Sequence, residues 1–158
     1  MERLRLVEGD ATDPKTGGPK IIAHVCNDVG AWGKGFVRAV TGRWPEPEQD
    51  YRQWHRDRAD NDFGLGAVRL VQVESDIWVA NMIGQHGIKH GASGPPIRYD
   101  AVAQCLVSVA DHTLRMRASV HMPRIGCGLA GGRWEQIEPI IVTALCRRDI
   151  VVTVYDLP

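Results

Sequence analysis

An α/β fold with a central mixed sheet between helices is predicted by this sequence on three observations. Strand-like and helix-like stretches alternate along the chain. Two strand-like runs, Lys20–Asn27 and 119–125, each end in a glycine-rich turn that opens into a helical pattern. The 158 residues suit one domain, 1–158, large enough to bury a core, with no repeat, linker or low-complexity segment.

The elements follow in order. Residues 4–7 read as a short strand closed by Gly9-Asp10, and Asp13-Pro14 with Gly17-Gly18-Pro19 mark a turn-rich loop. Lys20–Asn27 carries the near-continuous apolar run (Ile21, Ile22, Ala23, Val25) of a strand covered on both faces. After Gly30-Ala31-Trp32-Gly33-Lys34-Gly35 comes a helical stretch, Phe36–Arg43. Pro45, Pro47, Glu48 and Asp50 signal a second helix start, with Tyr51 and Trp54 as anchoring aromatics. Residues 67–73 alternate as a strand and 77–83 read as another, leading into a polar loop, 84–96, that holds Gln85, His86, Lys89 and His90. Over 97–116, Ala101, Val102, Cys105, Leu106, Val109 and Leu114 recur at helical spacing. The strand 119–125 (Val120, Met122, Ile125) runs into Gly126, Gly128, Gly131 and Gly132. A helix over 134–147 (Ile137, Ile140, Ile141, Leu145) and a strand over 150–155 complete the chain.

Composition narrows the function. Nineteen basic and nineteen acidic residues balance to zero, so no strong field is available to hold a nucleic-acid backbone by charge alone. The apolar runs are far shorter than a membrane span, and the opening residues lack the apolar core of a secretory signal. Cys26, Cys105, Cys127 and Cys146 show neither a C-x-x-C pair nor ligand spacing, which points to free thiols in a cytoplasmic protein and to no metal site.

The glycine turns carry the chemistry. Gly126, Gly128 and Gly131 spell G-x-G-x-x-G at a strand-to-helix corner, where backbone N–H groups and a helix N-terminus can meet an anion. The same spelling is the dinucleotide fingerprint, which expects an acidic residue about 20 residues on, and Asp156 is a loose candidate for it. Gly33-Lys34-Gly35 fails the P-loop pattern, since Asp28 stands where glycine is needed and Gly35 where Ser or Thr is needed. Two such loops after separate strands suggest two main-chain clamps on one elongated diphosphate ligand.

Five segments resemble the macrodomain family, the ADP-ribose-binding module: Val7-Glu8-Gly9-Asp10, Ala23-His24-Val25-Cys26-Asn27, Gly33-Lys34-Gly35-Phe36, the run from Met122 to Leu129 (Met-Pro-Arg-Ile-Gly-Cys-Gly-Leu), and Thr153-Val154-Tyr155-Asp156-Leu157. The Met122–Leu129 block with Trp134-Glu135 is similar to the ALC-like branch, which includes terminal ADP-ribose glycohydrolases, while Trp32-Gly33-x-Gly35, Tyr51 and Val154-Tyr155 resemble fungal members that dephosphorylate ADP-ribose-1″-phosphate. The resemblance implies a three-layer α/β/α fold and the following site. Asp10 takes the adenine amino group, with the Ala11 backbone nearby. Trp32, Gly33, Lys34, Gly35 and Phe36 form the first loop against the diphosphate and distal ribose. Pro123, Ile125, Gly126, Cys127, Gly128, Leu129, Ala130 and Gly131 form the second, its amides on phosphate oxygens. Asn27 faces the distal ribose, and Tyr155 and Leu157 line the adenine side.

Glycohydrolases of that branch use a lysine on the strand before the long loop and an aspartate directly after Gly-Cys-Gly-Leu. This chain has Val79-Ala80-Asn81-Met82-Ile83-Gly84-Gln85 on that strand and Ala130 after Leu129, so a lysine-linked intermediate is not expected. Lys89 reads as a solvated loop charge. A bound water is then the nucleophile, and Asn27, His24, Gln85, Asp28 and His86 are candidates to orient it. The expected activity is hydrolysis of the ester between ADP-ribose and an acidic side chain, with ADP-ribose and ADP-ribosylated proteins as partners, no cofactor and no membrane. A reader without turnover and an ADP-ribose-1″-phosphate phosphatase stand as alternatives.

Overall fold

The structure, a computed structural model, describes residues 3–91 and 94–158; Met1 and Glu2 of the opening segment and Ala92 and Ser93 of the 84–96 loop lie outside the described residues. Six strands form one sheet in the order β1 (Leu4–Glu8), β6 (Val152–Asp156), β5 (Ser119–Met122), β2 (Lys20–Asn27), β4 (Ile77–Gln85) and β3 (Val68–Glu74). All neighbours are parallel except β3, which lies antiparallel on β4 at one edge. The sheet is therefore mixed, as its sequence suggests.

Alternation along the central strands builds a layer on each face. Ile21 and Ala23 of β2, with Ala80 and Met82 of β4, pack into the cluster made by α3 (Tyr99–Met116) and α4 (Trp134–Ala144). Ile22 and Cys26, with Val79 and Ile83, point the other way, into the cluster made by Val37 and Val40 of α1 (Phe36–Arg43) and Tyr51 and Trp54 of α2 (Glu46–Arg56). Burial on both faces explains the near-continuous apolar run that marked β2 in the sequence.

The elements lie where the sequence puts them, with local differences at their ends. β5 stops at Met122 rather than reaching Ile125, because Pro123 has no N–H for the ladder. β4 runs on to Gln85, which pairs with Asn27 across a register shift at Cys26/Asn27 and bridges to Ile97. α3 begins at Tyr99, since Ile97 N donates to Ala130 O (3.1 Å) and Arg98 is extended. The helix over 134–147 ends at Ala144; a 3₁₀ turn, Cys146–Arg148, follows, closed by left-handed Asp149 (φ 61°). β6 starts at Val152 because Ile150 N still donates to Leu145 O.

Two histidines are folded into this frame as neutral rings. His24 Nε2 donates to Asn81 Oδ1 (2.6 Å), whose Nδ2 in turn donates to Pro47 O (3.0 Å). His121 lies 2.7 Å from both Ser119 Oγ and Tyr155 Oη. Burial pushes both imidazoles down to about 4; Lys20 adds to this at His121, while the Asn81 bond opposes it at His24. A folded pKa below the unfolded one means stability that is complete above about pH 6.5 and is lost as pH falls toward 4. Each ring should cost about 2 kcal/mol of stability by pH 5. Urea unfolding at pH 7 and pH 5 checks this, and equal stabilities at the two pH values would contradict it.

Candidate functional site

The C-terminal ends of the five parallel strands share one edge of the sheet, where open α/β folds place their ligands. A cleft of about 350 Å³ opens there, lined by Asp10, Ala11, Gly35, Phe36, Pro123, Tyr155 and Leu157 together with Gly9, Ala39 and Asp156. Seven of the residues expected to bind ligand thus meet in one place. Of the other three, Asp156 is the acidic residue that the dinucleotide pattern pointed to, Gly9 lies in the Val7–Asp10 motif, and Ala39 is an ordinary helical position that no motif marks.

Asp10 does two things at this cleft. Its Oδ1 accepts from Thr12 N (2.8 Å) and Thr12 Oγ1 (2.7 Å), capping the turn after β1. Arg43 Nη2 reaches Oδ2 at 3.3 Å while its Nε donates to Thr12 Oγ1 at 2.7 Å. Burial raises this carboxyl, but the bonds from Thr12 and Arg43 outweigh it and hold the group below the usual carboxylate range. Asp10 therefore stands as an ionised acceptor at the cleft wall. The Tyr155 ring lies against Gly9, where an added Cβ would come 3.3 Å from Cδ2, and its hydroxyl is turned inward to His121.

The first glycine loop rests on Asn27 and Trp32. Asn27 is 5% exposed; its Oδ1 accepts from Val29 N, Ala31 N and Tyr51 Oη, and its Nδ2 donates to Ala31 O. Its amide thus holds the loop from within. Trp32 is buried, with Nε1 donating to Thr41 Oγ1 (2.6 Å) and Val37 O (3.2 Å) and its ring edge-on to His24 at 5.5 Å. Neither side chain lines the cleft. Gly33 takes a left-handed φ of 88°, Lys34 is exposed, and Gly35 caps α1 with no side-chain bond and no acidic residue in the first turn. Among the described residues, the N–H groups of Phe36 and Val37 have no acceptor, as at any uncapped helix start.

The second loop turns on itself. Gly132 N donates to Gly126 O (2.7 Å), Gly131 N to Gly128 O (3.0 Å) and Cys127 N to Arg124 O (3.2 Å). Among the described residues, the N–H groups of Gly126, Gly128, Leu129 and Ala130 have no acceptor. Four unbonded donors in five residues are what a main-chain anion site needs. Ile125 and Ala130 are buried beneath it, whereas Leu129 is 71% exposed at its tip. Arg124 braces both ends of the loop. Its guanidinium binds Asp156 through two bonds (2.7 and 3.0 Å) and lies over the Trp134 ring at 4.8 Å. Burial pushes the Cys127 thiol up, with Arg124 opposing, so it is not poised as a nucleophile.

The water-orienting candidates separate on geometry. His24 is 2% exposed, with Nε2 committed to Asn81 and Nδ1 buried without a partner among the described residues. Gln85 Nε2 donates to Gly87 O (2.9 Å), holding the following turn. Asp28 Oδ1 accepts from Gly87 N (2.8 Å) and Oδ2 lies 2.7 Å from His86 Nδ1. Asn81 is fully buried on β4. No group of three or more His, Cys, Asp or Glu arranged to hold a metal occurs among the described residues.

No protein-family model matches the chain. A solved macrodomain protein from Streptomyces coelicolor is 61% identical with a TM-score of 0.88, over 97% of this chain and 98% of that one. Of the curated relatives, Chromodomain-helicase-DNA-binding protein 1-like of Mus musculus is 30% identical over 166 residues, 98% of this chain. This chain spans less than a fifth of that relative and of its Danio rerio counterpart. The ADP-ribose 1″-phosphate phosphatase of Meyerozyma guilliermondii is 22% identical over 177 residues, covering 98% of this chain and 99% of the enzyme. The ADP-ribose glycohydrolase OARD1 of Bos taurus is 37% identical over 70 residues, covering 44% of this chain and 45% of that protein.

Proposed function

We propose that this chain, which belongs to the macrodomain family, binds ADP-ribose and hydrolyses the ester that joins it to acidic side chains of proteins. One observation carries the reading: a cleft of about 350 Å³ lined by Asp10, Phe36 and Tyr155 opens at the sheet edge where two glycine loops with unbonded N–H groups follow β2 and β5. Adenine enters the cleft against Tyr155 and Phe36, with Asp10 accepting from its amino group. The diphosphate crosses between the loops, held by backbone dipoles and therefore needing no net positive charge. The names of the relatives, a phosphatase and a glycohydrolase of ADP-ribose compounds, support the ligand class. Membership of the ALC-like branch and a cytoplasmic location belong to the same reading.

A second reading, binding without turnover, is favoured by β4 and Ala130. The strand from Val79 to Gln85 holds no lysine, and a buried Ala130 stands after Leu129, where the resemblance calls for aspartate. One set of measurements separates these readings. Calorimetry with ADP-ribose should show binding, and incubation with a glutamate-linked ADP-ribosylated protein should release ADP-ribose. Binding without release selects the reader. Phosphate release from ADP-ribose-1″-phosphate alone selects the phosphatase, and no affinity for ADP-ribose removes all three.

A further inference from the structure

Resting on the hydrolysis proposed above, we infer that His86 is the general base that takes a proton from the attacking water, and that Asp28 positions it. The strand order gives this pair its place. The cleft lies over the ends of β1 and β6, the glycine loops follow β5 and β2, and Asp28 and His86 follow β2 and β4. From β6 through β5 and β2 to β4 is three strand spacings, about 14 Å. A ligand with its adenine at one end and its diphosphate between the loops therefore brings its distal ribose toward Asp28 and His86.

The pair is built in rather than loosely placed. Asp28 N donates to Gln85 O (3.0 Å), its Oδ1 accepts from Gly87 N, and its side chain is only 17% exposed. His86 N donates to Pro96 O (2.8 Å), while its side chain is 62% exposed. The segment beyond it packs on the second loop: a Cβ added to Gly131 would meet Pro95 at 2.6 Å and His90 at 3.0 Å. His86 is thus an exposed side chain on a turn fastened to Asp28, just after β2, and to the second glycine loop. Because a carboxylate oxygen can only accept, the 2.7 Å contact makes Nδ1 the donor and leaves the Nε2 lone pair facing outward in the neutral ring. The other candidates lack this arrangement. His24 is buried, the Asn27 amide is committed to its own loop, and Gln85 has no basic atom.

The chemistry asks for one base and no acid. A carboxylate, whose conjugate acid has a pKa of about 4, leaves without protonation. The water oxygen bonds to the anomeric carbon of the distal ribose as the bond from that carbon to the ester oxygen breaks, its electron pair departing on the side-chain carboxylate. The water proton moves to His86 Nε2, Asp28 stabilises the resulting imidazolium, and the proton then passes to solvent. The products are free ADP-ribose and an unmodified acidic side chain.

Steady-state release of ADP-ribose from a glutamate-linked substrate tests the assignment. His86→Ala should lower kcat by about 10²- to 10⁴-fold with the ADP-ribose Kd unchanged, and added imidazole should restore turnover in proportion to its concentration. His86→Gln, which keeps an N–H for Asp28 but has no basic atom, should be equally slow. Asp28→Asn should lower kcat at least tenfold without imidazole rescue, the mark of a group acting through the histidine. If His86→Ala and His86→Gln both turn over at the wild-type rate, the base assignment falls while the hydrolase reading stands. A wild-type protein that binds ADP-ribose and releases none overturns both.

Discussion

Gly128→Glu should abolish ADP-ribose binding while leaving the fold intact. An added Cβ at Gly128 meets nothing within 4 Å, and the residue does not occupy the left-handed region, so a larger side chain enters open space without backbone strain. On the proposed reading, that space adjoins the unbonded N–H groups of Gly126, Gly128, Leu129 and Ala130, which take the diphosphate. A carboxylate there meets the ligand's two phosphate charges, and like charges brought together in a partly desolvated site cost several kcal/mol. Affinity should fall by at least about 100-fold, with a melting temperature close to that of the wild type. Calorimetry and thermal unfolding on one preparation give both numbers. Gly132→Ala is the contrasting control. Its Cβ would stand 2.4 Å from Gly126 O, a backbone atom that cannot swing aside, so that variant should lose stability as well as binding. Unchanged affinity in a folded Gly128→Glu protein would remove the second loop from the diphosphate site.

The fold was largely legible because each element carries its own local signal. Lys20–Asn27 could be read to the residue, since burial on both faces leaves a near-continuous apolar run, broken by His24, between a proline and the next loop. Phe36–Arg43 was equally clear, with glycine at its start. The ends that shifted depend on distant partners. α3 begins late because Ile97 is pulled to Ala130, and β4 runs on because Gln85 meets Asn27 and Ile97. The site divides in the same way. Glycine loops and an aspartate after a strand show in sequence as residue types, and the cleft lined by Asp10, Phe36 and Tyr155 agrees with that pattern. Where a polar side chain points does not show. Asn27, His24 and Trp32 look alike as candidates until Tyr51, Asn81 and Thr41 are seen to engage them, and those partners lie 9 to 57 positions away. The Asp28–His86 pair, separated by 58 positions, needs the β2–β4 pairing before the two residues can meet.

Asn27→Ala is expected to act on the fold before it acts on any reaction. The buried amide ties Val29, Ala31 and Tyr51 together, and removing it leaves the Val29 and Ala31 N–H groups and the Ala31 carbonyl without this partner. Several bonds of about 1 kcal/mol each, with an added penalty where a group stays buried, give a loss of roughly 2–4 kcal/mol. Tyr51 Oη keeps its second acceptor, Asn27 O at 2.7 Å, so α2 should stay docked and the loss should centre on the first glycine loop. Asn27→Asp is sharper still, because it keeps an acceptor for Val29, Ala31 and Tyr51 but sets a carboxylate oxygen against Ala31 O. Denaturant unfolding should show both variants destabilised, and ADP-ribose affinity should fall with the loop's order. A residue acting directly on the distal ribose behaves differently: its removal lowers turnover while leaving stability and ligand affinity near wild type. That profile in Asn27→Ala would return Asn27 to the reacting centre and move the loop's support to Trp32 and Tyr51.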